Sequence, residues 1–144
     1  MDPTLPSFLL TQTAAHAGRL VSEGFAAAGA RGYHYRLLAT LLESGPASQA
    51  ELGRRTGIHL SDMVAAINEL AAGGYVERSP DPGDRRRNVV TITARGRRRA
   101  AELAGRVAAI QEELLAPLSA AERDELTALL TTLLRHHRAQ AGQQ

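Results

Sequence analysis

The chain has 144 residues, 44% of them hydrophobic, which suits one domain with a core and a sizeable interface. All 17 basic residues are arginines and 15 acids leave a net charge of +2; residues 81–106 hold eight arginines against three acids, so that segment carries +5 and the rest −3. Cysteine is absent, which excludes disulfides, thiolate metal sites and a cysteine redox switch within the chain.

There is no signal-peptide core and no apolar run of membrane-spanning length, so a soluble cytoplasmic protein without a membrane partner is expected. A local positive field on a nearly neutral chain suits binding a polyanion at one place. The alternative is a solvated, charged helix face.

Residues 5–28 read as a helix, with Leu5, Leu9, His16 and Leu20 on one stripe and Phe8 and Arg19 beside it. Gly29-Ala30-Arg31-Gly32 breaks it. A second helix is expected over 33–44, with Leu37, Leu38, Leu41 and Leu42 on one face, stopped by Gly45-Pro46. Ser48 and Glu51 have capping-box spacing and open a short helix that Gly57 ends in the left-handed conformation.

The turn Ile58-His59-Leu60 leads into a helix over 60–72. Its inward face is expected to be Leu60, Met63, Val64, Ile67, Leu70 and Ala71, with Ser61, Asp62, Ala65, Asn68, Glu69 and Ala72 pointing out. After Gly73-Gly74, residues 75–78 form a strand, 79–84 a turn-rich loop and 88–93 the returning strand, with Val90 and Ile92 on one face.

The remainder is helical. Leu103, Val107, Ile110 and Leu114 make a heptad-like seam, Pro117 interrupts it, and Ser119 with Glu122 repeats the capping-box spacing. Leu126, Leu129, Leu130, Leu133 and Leu134 then form a broad apolar stripe that a thin domain could not cover alone, and the tail AQAGQQ reads as frayed.

Two helices joined by a glycine-containing turn, followed by a hairpin with an arginine-rich tip, are the parts of a winged helix-turn-helix: mainly α, with a small β-hairpin wing. Its second helix enters the major groove. Small outward residues let the helix sit deep there: Asn68 can pair bidentately with adenine, Ser61 can serve a base or a phosphate, and Ala65 can touch a thymine methyl. Asp62 can accept from cytosine or cap its own helix, and capping is preferred. In the wing, one of Arg85, Arg86 and Arg87 suits the narrow minor groove while the others meet phosphate or solvent.

Over residues 35–96 the chain resembles the MarR (multiple antibiotic resistance regulator) family of bacterial transcription factors. The resemblance rests on SQAELGRRTGI, LSDMVAAINELAAGGYVER and, above all, DPGDRRRNVVTITARG. The last is similar to the family's wing, where an Asp-x-Arg signature precedes a strand ending in Leu-Thr and a glycine. Asp84 and Arg86 match the signature, Ile92-Thr93 stands in place of Leu-Thr, and Gly96 is the glycine.

The resemblance implies that Arg86 reaches the minor groove and Asp84 braces the wing. It further implies a homodimer: an N-terminal dimerisation helix (1–32), the winged DNA-binding region (33–98) and C-terminal dimerisation helices (99–144), intertwined as one domain. Leu5, Leu9, Leu126, Leu130, Leu133 and Leu134 are the expected dimer residues, although these stripes could instead pack within the chain. Twofold symmetry predicts a pseudo-palindromic site in double-stranded DNA with half-sites about 10 bp apart.

Many members of the family are repressors released by a small aromatic or phenolic acid. The pocket candidates are His16, Arg19, Tyr33, His34 and Tyr35. For His16 a hydrogen-bonded core or interface histidine is the preferred reading, Arg19 reads equally as half of an intersubunit salt bridge, and for Tyr35 packing as a core aromatic is preferred.

No cofactor is implied. His136 and His137 are adjacent, so they point about 100° apart on a helix and make a poor metal pair. No nucleophile, acid–base pair or phosphate loop signals an enzyme. The remaining alternatives are a ligand-independent architectural or non-sequence-specific nucleic-acid binder, and a helical interaction protein solubilised by its arginines.

Overall fold

Among residues 2–142, which the computed structural model describes, the chain runs α1 (Pro6–Ala26), α2 (Gly32–Ser44), β1 (Ala47–Ser48), α3 (Gln49–Thr56), α4 (Leu60–Ala72), β2 (Val76–Asp81), β3 (Asp84–Ile92), α5 (Ala94–Leu114) and α6 (Ala120–Ala141). One unit extends through Ile110 and a second begins at Gln111. Of the tail expected to fray, residues 139–141 belong to α6, while 143 and 144 lie outside the described residues.

The helix ends follow local chemistry. Pro6 opens α1, where its missing N–H costs nothing, and the helix stops at Ala26, two residues short of the expected end. Ser48 caps α3, its hydroxyl accepting from Glu51 N at 3.2 Å, and Gly57 ends it at φ 71°. The reciprocal half of that capping box is not made: the Glu51 carboxylate faces Arg55 at 4.0 Å and Arg87 at 3.9 Å instead. In the second unit both halves form at α6, Glu122 N to Ser119 Oγ at 3.2 Å and Ser119 N to Glu122 Oε1 at 2.9 Å.

The core of the first unit gathers Phe25, Leu37, Leu38, Leu41, Leu52, Met63, Ile67, Leu70, Val76, Val90 and Leu103. Three residues assigned inward by periodicity are exposed: Leu42, Leu60 and Val64. On α4 the buried stripe is Met63, Ala66, Ile67 and Leu70, spaced i, i+3, i+4, i+7. Ala66 permits close approach to the neighbouring elements, which turns Val64 outward, and Leu60 stands in the first turn beyond the packed body.

The sheet is antiparallel in the order β1-β3-β2, so a third strand joins the expected hairpin. With only two residues, Ala47 paired to Val90 and Ser48 to Val89, β1 offers no alternation to read in sequence.

The hairpin also differs from the expected one. Strand β2 extends to Asp81 and β3 starts at Asp84, leaving Pro82-Gly83 as a two-residue turn instead of a loop over 79–84. Pro80 pairs with Asn88, but the next pair is Asp81 with Asp84, so one step on β2 spans four on β3. Arg85, Arg86 and Arg87 are the surplus, a bulge on the flank of the wing and not its tip.

Candidate nucleic-acid interface

Helix α4 presents Ser61, Asp62, Ala65 and Asn68 to solvent, and exposed Leu60 and Val64 widen that face with apolar surface. The helix is capped by His59, whose Nδ1 accepts from Ser61 N at 3.3 Å and lies 3.0 Å from Ser61 Oγ. The capping role preferred for Asp62 therefore falls to His59: Asp62 stands at N3, inside the first turn, while the cap position itself presents its side chain to the free Ser61 amide. Asp62 has no side-chain hydrogen bond among the described residues.

The Asn68 carbonyl oxygen accepts a hydrogen bond from the Arg78 guanidinium on β2. Strand alternation brings this about. Arg78 shares a β2 face with buried Val76 and is paired with buried Val90, so it is aimed at α4. Sequence reasoning placed Arg78 at a strand end and gave it no role; a charged residue two positions after an inward valine was the available signal.

In the wing, Asp81 Oδ1 accepts from Gly83 N at 2.9 Å and tightens the turn, while Asp84 Oδ1 accepts from Arg86 N at 3.0 Å and holds the start of the bulge. Arg85 and Arg86 are exposed and make no side-chain hydrogen bond or ion pair among the described residues. Arg87 differs: its Nη2 donates to Ser48 Oγ at 3.0 Å and lies 3.9 Å from Glu51, tying the bulge to the start of α3. The side chain keeps 48% of its surface exposed, so these contacts leave it open to solvent.

A second polar cluster ties α2 to α4. The Arg31 guanidinium is hydrogen-bonded to Glu69, and His34 Nε2 lies 2.6 Å from the same carboxylate. The Arg31 bond, then the His34 bond, hold the Glu69 carboxyl below its ordinary value, so it is ionised at neutral pH. Glu69 had been read only as an outward residue.

The five pocket candidates do not converge. A cavity of about 440 Å³ against α1 and α2 is lined by Val21, Phe25, Arg31, Tyr33 and Arg36 among others, and of the five only Tyr33 is in its wall. His16 Nδ1 and Arg19 Nη2 lie 3.1 Å apart on the exposed side of α1, His34 is bound to Glu69, and Tyr35 stacks on Phe25 with centroids 6.1 Å apart. Arg31 and Arg36 also line this cavity, the Arg31 guanidinium being bonded to Glu69 and Arg36 Nη1 donating to Thr56 O at 3.4 Å. Among the described residues no cluster of three or more His, Cys, Asp or Glu could hold a metal ion, and no helix is long and apolar enough to cross a membrane.

Comparison with known proteins matches residues 29–87 to the MarR family model. The chain is 33% identical over 97 residues to the HTH-type transcriptional repressor NicR of Pseudomonas putida, an alignment covering 67% of this chain and 61% of that repressor, so it spans about three-fifths of that relative's length. A probable transcriptional regulator from Pseudomonas aeruginosa is 31% identical, with a TM-score of 0.76 over 90% of this chain and 97% of that one. The Streptomyces coelicolor regulator PcaV, solved with its natural ligand, is 26% identical, with a TM-score of 0.72 over 94% and 96% of the two chains. The wing signature, the helix-turn-helix beside it and these likenesses together identify the chain as a member of the MarR family.

Proposed function

We propose that this protein is a sequence-specific DNA-binding regulator: a homodimeric, cytoplasmic repressor of nearby genes, released from a pseudo-palindromic operator by a small aromatic or phenolic acid. The observation that carries the DNA-binding reading is the bulge on β3, where Asp84 fixes the backbone at Arg86 and two guanidiniums have no side-chain partner among the described residues. Arg86 enters the minor groove, Arg85 meets phosphate, and Ser61, Asp62, Ala65 and Asn68 face base edges in the major groove. Arg87 holds the wing against α3.

Dimerisation is supported by exposed apolar residues in each unit, Leu5, Leu9 and Leu10 on α1 and Leu129, Leu130, Leu133 and Leu134 on α6, with half-buried Leu126 beside the latter. Such faces are costly to leave in water. Residues 1–32 and 99–144 then form the dimer body and 33–98 the DNA-binding region.

The test is a salt titration of binding to a specific and a scrambled duplex, with wild type and Arg86→Ala. Wild type is expected to prefer the specific duplex, and Arg86→Ala to lose about 1–3 kcal/mol of specific affinity. Equal affinity for the two duplexes would establish an architectural, non-sequence-specific binder instead.

The repressor reading draws on NicR, which is named a repressor, and the effector reading on PcaV, solved with a natural ligand. The cavity beside α1 and α2 suits an aromatic acid: Phe25 and Tyr33 accept a ring, and Arg31 and Arg36 in its wall have N–H groups beyond those bonded to Glu69 and Thr56 with which to meet a carboxylate. Such a ligand acts by favouring a dimer with misspaced recognition helices. Aromatic carboxylates are expected to raise the melting temperature and release DNA; a broad panel that does neither defeats the effector reading.

A further inference from the structure

We infer that Arg78 is a positioning residue that converts Asn68 from an adenine reader into part of a donor-only pair selective for guanine. The inference rests on the reading of α4 as the helix facing base edges.

An asparagine amide has one acceptor oxygen and one donor NH₂ group. Bidentate pairing with adenine uses both at once: Oδ1 accepts from the N6 amino group while Nδ2 donates to N7. In this protein Oδ1 is already engaged by the Arg78 guanidinium. A cation therefore stands at the oxygen that adenine N6 must approach, setting donor against donor.

What the pair presents outward is the Asn68 NH₂ and the remaining Arg78 N–H groups. Guanine displays two acceptors, O6 and N7, on its major-groove edge and matches that array. Cytosine offers an amino donor and is rejected for the same reason as adenine.

Both residues are exposed at the surface, and neither side chain has another hydrogen-bond partner among the described residues. Because Arg78 lies on β2 and Asn68 on α4, base selection at this point depends on the wing strand as well as on the recognition helix.

The experiment is selection of binding sites from a random duplex pool with the full-length wild type, Asn68→Ala and Arg78→Met, each checked for folding by thermal melting. Wild type is expected to enrich guanine at one position of each half-site, and Asn68→Ala to lose about tenfold of the selectivity at that position. Arg78→Met is expected to move the same position toward adenine, because Oδ1 is freed.

If Arg78→Met retains the guanine preference, or weakens all sequences equally with a shallower salt dependence, Arg78 is a phosphate contact and the inference is overturned. Wild-type enrichment of adenine at the position sensitive to Asn68→Ala overturns it too. If the wild type enriches no motif, or Asn68→Ala changes no position, the reading of α4 itself falls and the inference falls with it.

Discussion

Replacing Gly96 with alanine is expected to lower the unfolding free energy by about 3 kcal/mol, the upper end of overpacking costs. A Cβ at this buried position would overlap the carbonyl oxygen of Tyr75 and lie 2.7 Å from Cγ1 of Ile92. The carbonyl cannot easily retreat. Tyr75 O accepts from Thr93 N at 3.1 Å, and Thr93 Oγ1 donates to Gly74 O at 2.7 Å while accepting from Gly96 N at 3.0 Å. One threonine thus caps α5 and locks the start of the wing against it, which is why the first turn of α5 needs a residue with no side chain. Urea unfolding measures the effect; a loss below about 1 kcal/mol, within the ordinary range for point substitutions, would mean that α5 can tilt away.

The second large effect concerns assembly. Leu130 and Leu134, one turn apart on α6, are 40% and 51% exposed, so the isolated chain gains little from burying them. Replacing both with glutamate is expected to give a folded monomer by sedimentation, and to weaken operator binding by about 10²- to 10⁴-fold, because the second half-site contact ceases to be intramolecular. A double variant that keeps the wild-type mass and affinity would rule out this face of α6 as the seam of the proposed dimer.

The helices were legible because their signals are local. Ser119 with Glu122, Gly45, Gly57 and the 3.6-residue stripe through Met63, Ile67 and Leu70 each act within a few residues of their own position. The wing was legible as a motif but not as geometry, since a bulge is a relation between two strands and the three arginines fitted the expected loop equally well.

What escaped the sequence was long-range. Arg87 meets Ser48 across 39 residues, Arg31 meets Glu69 across 38, and Asn68 meets Arg78 only because β2 folds back beside α4. Val64 shows the limit of periodicity: a broad apolar stripe does not reveal that an alanine will occupy the packed centre and rotate the helix. The same ambiguity affects the pocket candidates: His16 and Arg19 satisfied the pattern on α1, while the cavity beside α1 and α2 is lined by Arg31 and Arg36.

The surplus of three residues on β3 separates two properties that an ordinary hairpin couples. In a regular ladder, removing one residue slips the strand and exchanges its inner and outer faces. Here residues 85–87 stand outside the pairing that seats Val90 and Ile92 in the core. The length of the arginine segment can therefore vary without changing the strand's phase. The wing can lengthen or shorten its reach toward DNA while the sheet that carries it keeps the same inward face.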